Sequence, residues 1–143
     1  MNKLTTRFMI ATAALVVTAG VASAQSMTAS IPFEFRAGNR VMAPGTYWVD
    51  DLQPQSGAPI FRILNANSHK STMVLPQAPV EPQPAWKASG GGKLVFACVN
   101  GSCALAEIWE VSRGHAYAFS GPKPGQDETA VLREIPTQPG KGE

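Results

Sequence analysis

The sequence predicts an all-β fold: a single small antiparallel sandwich or barrel of about seven to nine short strands, preceded by a cleavable signal peptide. Three observations predict it. Apolar and polar residues alternate with a period of two in several short runs, which is the spacing of half-buried strands. Turn formers are abundant, with 13 Gly and 12 Pro, and beyond the leader no helical pattern lasts about a dozen residues. An Asn-Gly pair lies midway between the only two cysteines, where a hairpin turn belongs.

The leader comes first. Lys3 and Arg7 make a basic start, an apolar run extends from Phe8, and Ala22-Ser23-Ala24 supplies the small side chains of a cleavage site. A retained membrane anchor would need about 20 apolar residues, and this run is shorter. Residues 1–24 therefore read as a signal peptide, and the cut chain is expected to be exported, periplasmic or extracellular, with no membrane span. The remainder has room for one domain, placed at 25–135, with a disordered tail at 136–143. Losing Lys3 and Arg7 leaves as many bases as acids. That balance argues against a nucleic-acid partner, because tracking a phosphate backbone requires a clustered basic excess.

At the start of the domain Met27, Ala29, Ile31, Phe33 and Phe35 alternate with polar residues, and Pro32 suits an edge or a bulge. Ala37-Gly38-Asn39 turns the chain into a short strand at Arg40–Met42. The next strand, Thr46–Asp50, puts Tyr47 and Val49 on one side and Trp48 on the other. Ile60–Leu64 and Thr72–Leu75 are two more strands. Pro76, Pro79, Pro82 and Pro84 stiffen an extended loop that holds Trp86. Gly90-Gly91-Gly92 reads as slack before the next hairpin, since Lys87 and Leu94 break any match to a phosphate-binding loop.

That hairpin is the best-defined element: Lys93–Cys98, a turn at Asn100-Gly101, then Cys103–Val111. A two-residue turn makes Val99 and Ser102 the closing pair. Cys98 and Cys103 then face each other at the next, non-hydrogen-bonded position, where strands run closest. In an exported chain the pair is expected to form a disulfide. A redox site would usually be Cys-x-x-Cys, and a zinc site needs four ligands where the chain adds only the distant His69 and His115. No metal or cofactor is expected. Strict alternation places Leu94, Phe96, Leu105, Glu107 and Trp109 on one face of the hairpin. Ala116–Phe119 is another candidate strand. Thr129–Ile135 alternates as a last strand, although Glu128–Glu134 would also suit a short helix.

Two stretches resemble a known group. Ile31-Pro32-Phe33-Glu34-Phe35 and the later Ala43-Pro44-Gly45-Thr46-Tyr47 are similar to the opening of small exported bacterial β-rich proteins of unknown function, whose pattern runs Ile-Pro-Phe-Asp/Glu-Phe and then Pro-Ala-Gly-Thr-Tyr. Lys93-Leu94-Val95-Phe96 with Glu107-Ile108-Trp109 is similar to that group's later hairpin. Ala43-Pro44 reverses the group's order of Pro and Ala. The resemblance implies a β-rich exported domain and carries no activity, cofactor or catalytic residue with it.

For function, no nucleophile elbow, zinc-protease motif or paired glycosidase carboxylates can be read, so no catalytic residue is assigned. The reading is an exported non-catalytic β-domain that binds a ligand or an envelope component. Its candidate binding residues are Trp48, Trp86, Glu107 and His115. Trp48 points away from its apolar neighbours, Trp86 sits in a loop, and Glu107 has apolar strand neighbours unless Arg62 or Arg113 meets it. The alternatives are an exported hydrolase or isomerase using Glu107 with His115, and a structural or assembly subunit pairing through an edge strand.

Overall fold

The computed structural model describes residues 25–52, 57–120 and 128–140. The signal peptide read over 1–24 and the end of the tail, 141–143, lie outside them. β1 (Gln25–Ile31) alternates as its sequence requires, burying Met27, Ala29 and Ile31. Pro32 has no amide hydrogen to continue a ladder, and the strand stops before it. The chain resumes in the other sheet as β2 (Phe35–Ala37), turns at Gly38 and returns as β3 (Arg40–Met42). A meander comes next: β4 (Gly45–Asp51), β5 (Phe61–Asn65) and β6 (Ser71–Val74).

The proline-rich segment is more ordered than a loop. β7 (Ala78–Val80) pairs with a later strand, and α1 (Pro84–Ser89) is a six-residue helix with Pro84 in its first turn and Gly90 as its left-handed cap. The chain then forms the hairpin β8 (Lys93–Val99) and β9 (Ser102–Glu110). A 3₁₀ turn at Val111–Arg113 leads to β10 (His115–Ala118), and β11 (Val131–Pro136) and β12 (Gln138–Pro139) close the order.

Two sheets stack as a small sandwich. One runs β12-β1-β4-β5-β6, and the other β11-β8-β9-β10-β7. Pairings are antiparallel except that of β2 with the start of β9, which is parallel. β9 thus shares one edge between two partners: β2 at Cys103–Ala104 and β10 at Glu107–Glu110. The core between the sheets centres on Phe35, Tyr47 and Phe96. Phe35 meets each of the other two edge-on with ring centroids 5.1 Å apart, contacts that each add about 0.5–1.5 kcal/mol beyond burial.

The structure corrects three expectations. The described residues hold twelve strands, more than the expected seven to nine, because pieces of two or three residues pair where a sequence pattern is too short to see. The tail is not frayed from Pro136: Pro136 pairs with Lys93, and Gln138–Pro139 extend the first sheet beside Met27 and Thr28. The last of the three glycines before the hairpin is not slack. Gly92 is buried, and a Cβ there would stand 2.8 Å from the Trp109 carbonyl oxygen. The ambiguous segment at 128–135 is strand rather than helix from Val131 onward.

Candidate functional site

The β8–β9 hairpin forms as its turn dictates. Asn100 and Gly101 both have positive φ, 50° and 83°, as a two-residue turn of primed type requires. Cys98 and Cys103 are cross-strand partners with Cα atoms 4.0 Å apart and form the disulfide. The bond closes a register that the turn has already set.

Past the turn the hairpin departs from strict alternation. Phe96 pairs with Leu105 but Val95 pairs with Glu107, so Ala106 is an extra residue in β9, a bulge. The bulge flips the face of everything after it. Ile108 points into the core between the sheets, while Trp109 turns outward to join Val95, Ala116 and Trp86 in a second cluster. The expected shared face of Leu105 and Trp109 is therefore wrong beyond Ala106.

This second cluster covers the outer face of the β8–β9 sheet. Trp86 is only 2% exposed; α1 is too short to persist alone, and the buried indole holds it down. Trp86 is thus not the exposed loop aromatic that its proline-rich flanks suggest. Its Nε1 donates to Glu134 Oε1 at 3.1 Å. Glu134 and Glu107 flank Val95 on this same face, from β11 and β9. Glu107 is half-buried, and burial first, then the charge of Glu134, raise its pKa above a glutamate's ordinary value. Neither expected cation reaches it. Arg62 pairs with Asp50 at 2.6 Å and Arg113 pairs with Asp51.

His115 does not join Glu107. It pairs in register with Glu110, on the face shared by Ile108 and Tyr117, whereas Glu107 pairs with Ala118 on the opposite face. The two side chains project to different sides of the sheet, and no acid–base pair forms from them. Among the described residues no group of three His, Cys, Asp or Glu side chains gathers as metal ligands, and no helix is long and apolar enough to cross a membrane.

One open surface lies on the first sheet. Tyr47 and Val49 fill the core, so Trp48 between them must face out, and it is 44% exposed against 4% for Trp109. Across the strands it pairs with Thr28 and Leu64. In the neighbouring row Asp50 pairs with Ser26 and Arg62, and the Arg62–Asp50 ion pair stands beside the indole. On the other side Ser30 pairs with Thr46. One indole thus sits on the outer face of a sheet with Thr28 and Leu64 as cross-strand neighbours and hydroxyls and an ion pair in the flanking rows. That arrangement can stack on an apolar ring face and hydrogen-bond to its substituents.

A polar cluster that no local sequence pattern announces joins the two sheets. Asp51 at the end of β4 is fully buried, and Arg113 in the turn after β9 donates to it through Nε, with Glu110 Oε2 3.6 Å from the same nitrogen. The bond to Asp51 is the largest cause holding the Arg113 guanidinium above its ordinary pKa. Asp51 and Arg113 are 62 residues apart in the chain.

Comparison with family models, with curated proteins and with solved structures finds no match to this chain.

Proposed function

We propose that this protein is an exported, non-catalytic β-domain that binds a ligand or another envelope component through the open face around Trp48. One observation carries the reading: of three tryptophans, Trp86 of α1 and Trp109 of β9 are buried together, and Trp48 stands exposed on a sheet face whose neighbouring register positions carry hydroxyls. An exposed indole loses little conformational entropy on binding and offers a large stacking area. The leader and the disulfide support export. The separation of Glu107 from His115 removes the pair on which a hydrolase or isomerase would have rested.

The ligand class that fits is a saccharide, whose ring face stacks on indole and whose hydroxyls match Thr28, Ser30 and Thr46. Co-sedimentation with insoluble cell-wall polysaccharides tests it. Retention of the protein on at least one polymer, lost in Trp48→Ala at unchanged melting temperature, is the expected result. Equal retention of protein and variant would overturn the assignment.

A second reading, assembly through an edge strand, is favoured by β11. It lies at the end of its sheet and leaves Val131 and Leu132 each 60% exposed. Size-exclusion chromatography that shows only monomer at high concentration would count against it.

A further inference from the structure

We infer that the protein has a second ligand site, a groove between β6 and the β2–β3 hairpin that takes a carboxylate or phosphate group attached to an apolar body. The groove is separate from the Trp48 face and does not rest on that reading.

Its construction follows from the crossing of the chain at Pro32. β2 and β3 belong to the β9 sheet, yet their turn reaches across to the other sheet's edge strand. Gly38, at φ 58°, lies against β6: an added Cβ would make ordinary contact with Val74 Cγ1 at 3.5 Å and with Thr72 Oγ1 at 3.6 Å. The hairpin tip and β6 thereby wall a recess of about 380 Å³.

Two features define what it accepts. Arg36 and Arg40 both line it, and neither makes an ion pair among the described residues. Asn39, Thr72 and Ser120 add uncharged polar groups, and among the described residues no carboxylate lines the groove. In a chain whose exported part balances acids and bases, this is a local excess of positive charge. Arg36 and Arg40 stand at successive register positions of the β2–β3 hairpin and bring two guanidinium groups to a lining without a described carboxylate, and their planar forks suit carboxylate and phosphate oxygens. The rest of the lining is apolar. Leu105 and Phe119 form part of it, and Met73 and Leu75, 62% and 69% exposed, stand on the β6 side. A free inorganic ion would leave that surface wet, whereas an apolar body joined to the anion would cover it.

Isothermal titration calorimetry with octyl phosphate, octanoate, inorganic phosphate and octyl glucoside tests the inference. The expected result is saturable binding of octyl phosphate and octanoate, at least tenfold tighter than inorganic phosphate, with none for octyl glucoside. The Arg36→Gln/Arg40→Gln double variant should lose at least tenfold in affinity for octyl phosphate at an unchanged melting temperature. Trp48→Ala should bind it as the parent does, which separates failure of this site from failure of the Trp48 face. Absence of saturable binding, equal affinity for octyl glucoside, equal affinity for inorganic phosphate, or full affinity in the double variant would each overturn it.

Discussion

The guanidinium of Arg113 donates to the fully buried carboxylate of Asp51 and so ties the turn after β9 to the end of β4, one sheet to the other. Arg113 also lies over the Tyr117 ring, 6.0 Å from its centroid, and donates to the Gly57 carbonyl at 3.3 Å. One side chain therefore closes one end of the sandwich. Arg113→Met keeps the apolar stem and deletes the charge that Arg113 brings to the buried Asp51 carboxylate. The expected loss is about 3–5 kcal/mol of unfolding free energy, the cost of breaking a buried pair from one side. Urea denaturation measures it, and a loss under about 1 kcal/mol would mean that the pair is solvated like a surface ion pair.

Glu107 gives the pH dependence its sign. Its pKa is raised in the folded protein, so the fold holds a proton that the unfolded chain has already released. Its contribution is most favourable below the unfolded pKa and is lost as pH rises through the folded one. Glu107→Gln removes the penalty, so the variant should melt above the parent at pH 7, and the gap should close by about pH 3. Thermal melts across that range check it; a variant less stable than the parent at pH 7 would contradict it.

Gly92 lies where β8 begins, and its carbonyl accepts from the Thr137 amide at 3.0 Å. A Cβ at this position would press on the Trp109 carbonyl at 2.8 Å, and that backbone is fixed within β9. Gly92→Ala is expected to cost about 1–3 kcal/mol. Gly91, whose nearest contact would be 3.9 Å away, should tolerate alanine within about 0.5 kcal/mol. Equal effects at the two positions would refute the close approach.

The disulfide closes a loop with a sequence separation of 5. Chain-entropy arithmetic gives a contribution of about 2 kcal/mol for so short a loop. The Cys98→Ala/Cys103→Ala variant should therefore still fold cooperatively, with a melting temperature lowered by several degrees. Circular dichroism shows whether it does. Complete unfolding would mean that the bond, rather than the turn, sets the hairpin register.

Local chemistry made part of this legible in the sequence. Asn100-Gly101 and the flanking cysteines specify a turn and a register within six residues, so the hairpin and its disulfide follow directly. Tyr47 and Val49 with Trp48 between them fix one face as buried and the other as open, because strand periodicity leaves no third option. The bulge at Ala106 left no such mark, and a single extra residue moved Trp109 to the other side of its sheet. The burial of Trp86 is hidden for a related reason: Pro84 reads as extended chain but also suits the first turn of a helix, and the indole's hydrogen-bond partner is Glu134, 48 residues on. Arg36, Arg40, Asp51 and Arg113 acquire meaning only from the crossing of the chain between sheets, which no run of residues encodes.

The most direct test of the Trp48 assignment is a two-dimensional NMR spectrum of the three indole Nε1–H groups, assigned with Trp48→Phe and Trp86→Phe, during titration with a polysaccharide fragment that the protein retains. The expected result is that the Trp48 resonance shifts with saturation while those of Trp86 and Trp109 hold still. Movement of a buried indole with a stationary Trp48 would contradict it.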